Sequence, residues 1–200
     1  MSNSRYIAFE GPEGCGKSTH AKRLAARLDA VITREPGGTR IGAMLREVLA
    51  NPDNTDMHAR TEALLMAADR AQHLEEVVRP ALAAGRHVVS DRSVYSTLAY
   101  QGFGRGLDLD ALRSLNMWAL DGCFPDLVVY MQVPSSVLAE RLAKRDLDRF
   151  EREGADFFTR VNAGFDALMA ADPERWITID GTMPKDEVEA LVWQKVSSRI

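Results

Sequence analysis

The sequence is poor in cysteine and histidine, and the few it has are badly placed for structural chemistry. Two cysteines, Cys15 and Cys123, are too few for a disulfide framework. The four histidines, at 20, 58, 73 and 87, make no pair at metal-ligand spacing, which excludes structural zinc. No apolar run approaches the roughly 20 residues that span a bilayer. Met1-Ser2-Asn3-Ser4-Arg5 runs straight into a strand-like segment and leaves no room for a signal peptide, so a soluble cytoplasmic chain is expected. Positive charge is not in excess either. The 25 basic and 29 acidic residues give a formal net charge of −4, which argues against a chain built to coat nucleic acid or anionic lipid. Any polyanion bound here must be held by local cationic clusters.

What is present is the composition of a globular domain, 46% hydrophobic and 27% charged. At 200 residues, folding can bury about 70% of the surface of the chain, so a core forms without staples. Five short β-rich runs, at 6–9, 31–33, 87–90, 127–131 and 176–179, alternate with helical segments at 17–28, 38–50, 57–84, 94–121, 134–147, 154–171 and 184–198. Most of the runs are continuously apolar, as strands covered on both faces are. The alternation predicts one three-layer α/β domain with a five-stranded parallel sheet flanked by helices. In 57–84 the stripe Leu64, Leu65, Ala68, Ala71, Leu74, Val78 and Leu82 predicts an inward apolar face. Pro80 should disturb that helix near its end, and Gly85 should cap it. The segment 94–121 should break near 102–106.

The sharpest local signal is Gly11-Pro12-Glu13-Gly14-Cys15-Gly16-Lys17-Ser18, a complete G-x-x-x-x-G-K-[ST] pattern. Chance produces it in on the order of one chain in a hundred of this length. It also sits where the chemistry requires, after an apolar strand and before a helix. Its glycines let successive N–H groups converge on an anion, and the positive end of the following helix faces the same spot. Lys17 supplies a point charge to the β- and γ-phosphates of a nucleotide, and Ser18 offers a hydroxyl to Mg²⁺. With Thr19, residues Gly11, Pro12, Glu13, Gly14, Cys15, Gly16, Lys17 and Ser18 are therefore the expected nucleotide-phosphate site. Cys15 reads as a small side chain tolerated in the loop rather than a reactive thiol.

Four separated motifs then stand in order: Glu10-Gly11-Pro12-Glu13-Gly14, Thr33-Arg34-Glu35-Pro36-Gly37-Gly38-Thr39, Asp91-Arg92-Ser93 and Tyr100-Gln101-Gly102. Together they resemble the thymidylate kinase family, from residue 7 to about 184, including Thr61-Glu62-Ala63-Leu64-Leu65 and Phe124-Pro125-Asp126-Leu127. The resemblance implies a P-loop nucleoside monophosphate kinase that moves the γ-phosphoryl of MgATP to dTMP. It implies that Arg70 and Arg92 hold the acceptor phosphate, which suits planar guanidinium groups. On residue type alone, an ion pair with Asp69 or Glu75 explains Arg70 equally well, and a helix-start ion pair explains Arg92. By matching position, Arg46, Thr97 and Gln101 read the thymine, while Pro36, Leu49 and Tyr100 form apolar walls. Leu49 and Tyr100 are also ordinary core residue types. Glu13 approaches the sugar hydroxyl and a Mg²⁺-bound water, and Asp91 orients metal water or Arg92. Met66 stands where the family commonly has a Phe over the base, and Ser93 where a Tyr often follows Asp-Arg.

Arg141, Arg145, Arg149 and Arg152 step by four, four and three, which on one helix makes a cationic stripe. Glu140, Asp146, Asp148, Glu151 and Glu153 fit a solvated mixed-charge helix equally. In the family context the stripe resembles a lid at about 141–153, with Arg141 on ATP and Arg145 and Arg149 near the transferred group. Catalysis would then rest on Lys17, Arg92, Arg145, Arg149 and Glu13 through positioning and charge neutralisation. The resemblance also implies a homodimer. Two other readings stay open from the residues: a kinase for a different nucleoside or monophosphate, favoured by Met66, and a nucleotide-hydrolysing switch.

Overall fold

A computed structural model describes residues 4–143 and 147–200. The strands are β1 (Tyr6–Glu10), β2 (Val31–Arg34), β3 (Val88–Asp91), β4 (Leu127–Gln132) and β5 (Trp176–Asp180). They form one parallel sheet in the order β2-β3-β1-β4-β5. Every residue of β1 is buried, and so is β4 up to Met131. Edge strand β2 alternates between half-buried and exposed positions instead, so its shorter run is a one-sided strand. The helices are α1 (Lys17–Leu28), α2 (Arg40–Ala50), α3 (Ala59–His73), α4 (Arg79–Ala83), α5 (Val94–Thr97), α6 (Leu109–Leu120), α7 (Ser135–Leu142), α8 (Ala155–Ala171) and α9 (Lys185–Ser197).

The helix expected over 57–84 is continuous through α3 and α4, but it does not keep one winding. Leu74–Val78 is a π-helical turn directly before Pro80. Proline has no N–H to give and its ring crowds the carbonyl four residues back, so the wider turn absorbs the mismatch without a break. Gly85, at φ 74°, takes the left-handed conformation expected of the cap. A second π-helical stretch, Leu98–Gly104, follows α5, and α6 begins after it, near the break expected from the sequence.

Two expectations are corrected. The first half of the stripe on α3 faces outward: Leu64 is 57% exposed, whereas Glu62, Asp69, Arg70 and His73 are buried. The inner face of α3 carries charge because it borders a polar cleft. Only from Leu74 and Val78 onward does the apolar stripe point into a core, with Tyr6, Val88 and Leu120. The expected helix over 134–147 stops at Leu142, and residues 149–152 form a turn, so Arg141, Arg149 and Arg152 do not share a helix face. Arg145 lies outside the described residues.

On one side of the sheet α8 packs its Phe157, Val161, Phe165 and Leu168 against Tyr100, Val128, Tyr130 and Trp176. The fully buried Phe165 ring lies 5.2 Å from Tyr130 and 6.4 Å from Tyr100, centroid to centroid. Phe165→Ala should cost about 3–5 kcal/mol, measured as a shift of the urea unfolding midpoint. An unchanged midpoint would mean that α8 contributes nothing to the stability of this layer.

Candidate active site

β1 ends in the glycine-rich loop, and its geometry follows from three backbone angles. Gly11, Gly14 and Gly16 sit at φ 138°, 77° and 98°. A Cβ on Gly11 would lie 2.7 Å from the Met131 carbonyl, so the loop can pass β4 only with glycine there. Gly16 caps α1, which starts at Lys17 and carries Ser18 and Thr19 in its first turn. Cys15 is buried in the core beneath the loop, so the small-side-chain reading fits its place. The Lys17 ammonium turns back to donate to the Pro12 carbonyl at 2.6 Å. Burial works against its charge, but Cys15, Glu13 and Asp91 outweigh that and raise its pKa.

β3 lies beside β1 and delivers Asp91 and Arg92 to the same edge. The Ser18 hydroxyl donates to the Asp91 carboxylate. Arg92 adopts φ 73°, a left-handed conformation rare for a residue with a Cβ. Its N–H donates to the Phe9 carbonyl at 2.9 Å, and Ser90 donates to its carbonyl at 2.7 Å, which hold that backbone in place. The guanidinium then donates to Glu13, to Ser96 at 2.7 Å and to the Tyr100 hydroxyl at 3.2 Å. Burial opposes the Arg92 charge, but Glu13, Tyr100 and Glu10 keep it firmly protonated. Behind the loop, fully buried Glu10 accepts from the Ser93 N–H and hydroxyl, both at 2.8 Å, and from Ser96. Burial raises its pKa, against the pull of Arg92 and the two serines.

α3 supplies Arg70, 2% exposed. Its Nε donates to Glu35 at 2.9 Å, one terminal nitrogen to Asn116, and the other to Thr97 at 3.1 Å. The ion pair is therefore with Glu35, at the end of β2, and not with Asp69 or Glu75. Sequence neighbours on the helix were the wrong place to look, since the partner arrives from the sheet edge. Glu35 also meets His73 Nδ1 at 2.9 Å and accepts from the Tyr6 hydroxyl at 3.4 Å. Burial alone would raise Glu35, but Arg70 and His73 hold it below the ordinary carboxylate range. One turn away, Asp69 accepts from the Gly37 N–H at 2.9 Å. Burial, with Glu35 nearby, pushes the Asp69 carboxyl up to about 6.

Lys17, Ser18, Glu35, Arg70, Asp91 and Arg92 border one cleft of about 360 Å³, within the range of small-molecule sites. Pro36, Arg46, Leu49, Met66, Arg70, Arg92, Thr97, Tyr100 and Gln101 all line it, together with Glu13, Lys17, Ser18 and Asp91. Leu49 and Tyr100 are both core residues and cleft wall. Arg46 reaches over to donate to the Pro36 carbonyl at 3.2 Å. Arg141 touches the loop from outside the cleft, donating to the carbonyls of Gly14 at 3.1 Å and Gly181 at 3.2 Å. Arg149 does not face the loop. It is buried, donating to the Leu49 carbonyl at 2.8 Å and pairing with Glu62 at 2.6 Å. Asp148, Phe150 and Glu151 beside it also line the cleft.

Sequence reasoning gave no role to Glu10, Glu35, Glu62, Asn116 or Ser96. Glu10, Glu35 and Glu62 lie inside the motifs quoted above, and an acidic residue amid apolar or glycine-rich neighbours was the available signal. Asn116 had none, because it reaches Arg70 from a helix 46 residues along the chain.

A phosphate loop at the carboxyl end of a parallel sheet, opening into a cleft lined by buried Arg70 and half-buried Arg92, defines a P-loop kinase of a small phosphorylated acceptor. The sequence profile of the family described as thymidylate kinase matches residues 9–192. Thymidylate kinase of Desulforudis audaxviator is 46% identical over 197 residues, covering 96% of this chain and 89% of that protein. That of Deinococcus radiodurans is 43% identical, covering 100% and 99%. The crystal structure of thymidylate kinase from Ehrlichia chaffeensis superposes with a TM-score of 0.79 at 28% identity, covering 96% of this chain and 98% of the other. The chain belongs to the thymidylate kinase family.

The titration of Asp69 gives a stability test. An unfolded carboxyl titrates near 3.8 and the folded one at about 6, so between those values the native state holds a proton that the unfolded chain has lost. Stability from this group is present at low pH and falls as pH rises through that window. Asp69→Asn should remove about 3 kcal/mol of that fall, read from urea midpoints across the window. Retention of the full parental slope would place it on other carboxylates.

Proposed function

We propose that the chain transfers the γ-phosphoryl of ATP to dTMP, giving dTDP and ADP. The observation that carries this reading is the continuity of the cleft from Lys17 to Arg70. Donor and acceptor phosphates repel strongly, and the cleft has Lys17, Arg92 and Arg70 along its length to offset that repulsion. An acceptor phosphate is nucleophilic at neutral pH, so positioning and charge neutralisation suffice. Residues 11–19 and Arg141 hold the ATP phosphates in this reading. Arg70 and Arg92 hold the acceptor phosphate, with Glu13 beside the sugar. Arg46, Thr97 and Gln101 read the base between Pro36, Leu49, Met66 and Tyr100. The Ser18 hydroxyl and Asp91 carboxylate are adjacent oxygen donors, a pair that fits Mg²⁺, which takes few protein ligands beside phosphate and water. When bound, the ion would neutralise charge on the β- and γ-phosphate oxygens.

Residues 141–153 act as a lid on this view, and the whole chain as one kinase domain. Arg145 is the candidate for the transferring phosphoryl. Arg149 is already engaged by Glu62 and the Leu49 carbonyl, so that role falls to Arg145. No helix among the described residues is long and apolar enough to cross a membrane. A homodimer is supported by exposed Ile41, Met44 and Val48 on α2, Leu64 on α3, and Met117 and Trp118 on α6. α3 packs against both α2 and α6, so the three helices are neighbours.

Phosphorylation rates with dTMP, dUMP, UMP, CMP, AMP and thymidine test the acceptor, and dTMP should lead clearly. Full-rate ATP hydrolysis without any acceptor would favour a switch instead. Lys17→Ala should lower kcat at least about 100-fold while calorimetry still detects dTMP binding. Leu64→Glu should shift sedimentation towards the monomer; an unshifted dimer would place the interface elsewhere.

A further inference from the structure

Gln101 borders the cleft, but one end of its carboxamide is committed to the protein. Its Nε2 donates to Glu62 Oε1 at 2.8 Å. Glu62 is fully buried, and its other partners are all donors as well. Arg105 gives Nε to Oε1 and a terminal nitrogen to Oε2, both at 3.1 Å, and Arg149 pairs with Oε2 at 2.6 Å. A carboxylate has about four acceptor sites, and these four donors fill them. Burial would favour the neutral acid, but Arg105, Gln101 and Arg149 hold Glu62 below the ordinary carboxylate range, so it is ionised at neutral pH. An ionised carboxylate offers nothing to the carbonyl end of an amide. Gln101 therefore has only one favourable orientation, NH₂ towards Glu62 and oxygen left over. Among the described residues no side chain or backbone group donates to that oxygen.

We propose that Glu62 is the positioning residue for base selection: by fixing the Gln101 amide it makes the cleft accept a hydrogen bond where a pyrimidine presents N3. Thymine and uracil carry N3–H and can donate there. Cytosine carries a bare N3 lone pair, which meets the Gln101 oxygen with repulsion. The inference rests on the dTMP reading and adds to it the origin of the choice between oxo- and aminopyrimidines. The arginines that hold Glu62 ionised come from outside the base pocket, so the selecting charge is set at one remove from the ligand.

Glu62→Gln tests this because its own amide has a forced orientation. Oε2 receives two arginine donors, Arg149 and a terminal nitrogen of Arg105, whereas Oε1 receives one, Arg105 Nε, beside Gln101, so the carbonyl of the new amide takes the Oε2 position and its NH₂ faces Gln101. Gln101 must then turn over and present NH₂ to the base. dTMP is compared with 5-methyl-dCMP, which keeps the methyl and deoxyribose phosphate and differs only at N3 and C4. The expected result is a fall of about tenfold or more in the ratio of kcat/KM for dTMP over 5-methyl-dCMP, arising from opposite changes in the two KM values. A residue that only stabilised the fold would lower both substrates together. In a Gln101→Met background, Glu62→Gln should change the ratio by less than about twofold, since the amide it acts through is gone. A folded Glu62→Gln enzyme with the parental ratio, or an equal change with and without Gln101, overturns the proposal. Should Glu62→Gln not fold, two results on folded protein decide. The Gln101 side-chain NH₂ of the parent must be protected from hydrogen exchange, and Gln101→Met must lose the dTMP preference; failure of either overturns it. If the parent itself prefers an acceptor other than dTMP, the functional reading fails first, and that result is separate.

Discussion

The cleft must hold several cations close together before any phosphate arrives to balance them, and the surrounding fold is organised by that demand. Most of these cations are met by an oxygen of the protein. Lys17 lies on the Pro12 carbonyl, Arg92 on Glu13, Arg70 on Glu35, and Arg105 and Arg149 on Glu62. Buried charge is expensive unless it is both paired and hydrogen-bonded, so the supporting carboxylates are as necessary as the arginines they hold. The partners come from the loop after β1, the residue after β2 and α3, which ties the site to the sheet edge from several directions. An incoming phosphate meets cations already in place, and little reorganisation is left for the reaction itself.

α3 shows what this costs the usual pattern. Its inner face carries Glu62, Asp69, Arg70 and His73, and its outer face carries exposed Leu64. A helix normally turns its apolar side in, and here the first four turns do the reverse because they wall a polar cleft. The normal orientation returns at the π-helical turn Leu74–Val78, whose Leu74 and Val78 enter the core. One continuous helix therefore serves the cleft with one half and the hydrophobic interior with the other.

The sequence made the architecture legible because strands buried on both faces and glycine-rich turns leave local signatures. The five strands, the phosphate loop and the cap at Gly85 needed no long-range information. The residues placed around the cleft by family resemblance do gather there, from Pro36 to Gln101. What stayed hidden depends on pairing across the chain. Arg70 finds Glu35 and Asn116, and Arg149 finds Glu62, at separations that no periodicity records. The arginine stripe from Arg141 to Arg152 misled for the same reason: its spacing suits one helix, but α7 ends at Leu142 and Arg149, in a later turn, pairs with a buried carboxylate.

The strand order has a bearing on how the protein is made. β1 is central, lying between β3 and β4, so the strand that carries the phosphate loop is flanked by segments ending at residues 91 and 132. A chain growing from the ribosome emits the loop before the strand β4 beside it, and cannot seat β1 on both sides until residue 132 has emerged. Nascent products ending within α6 would leave β1 as a bare apolar edge, open to association with other chains and in need of chaperone cover.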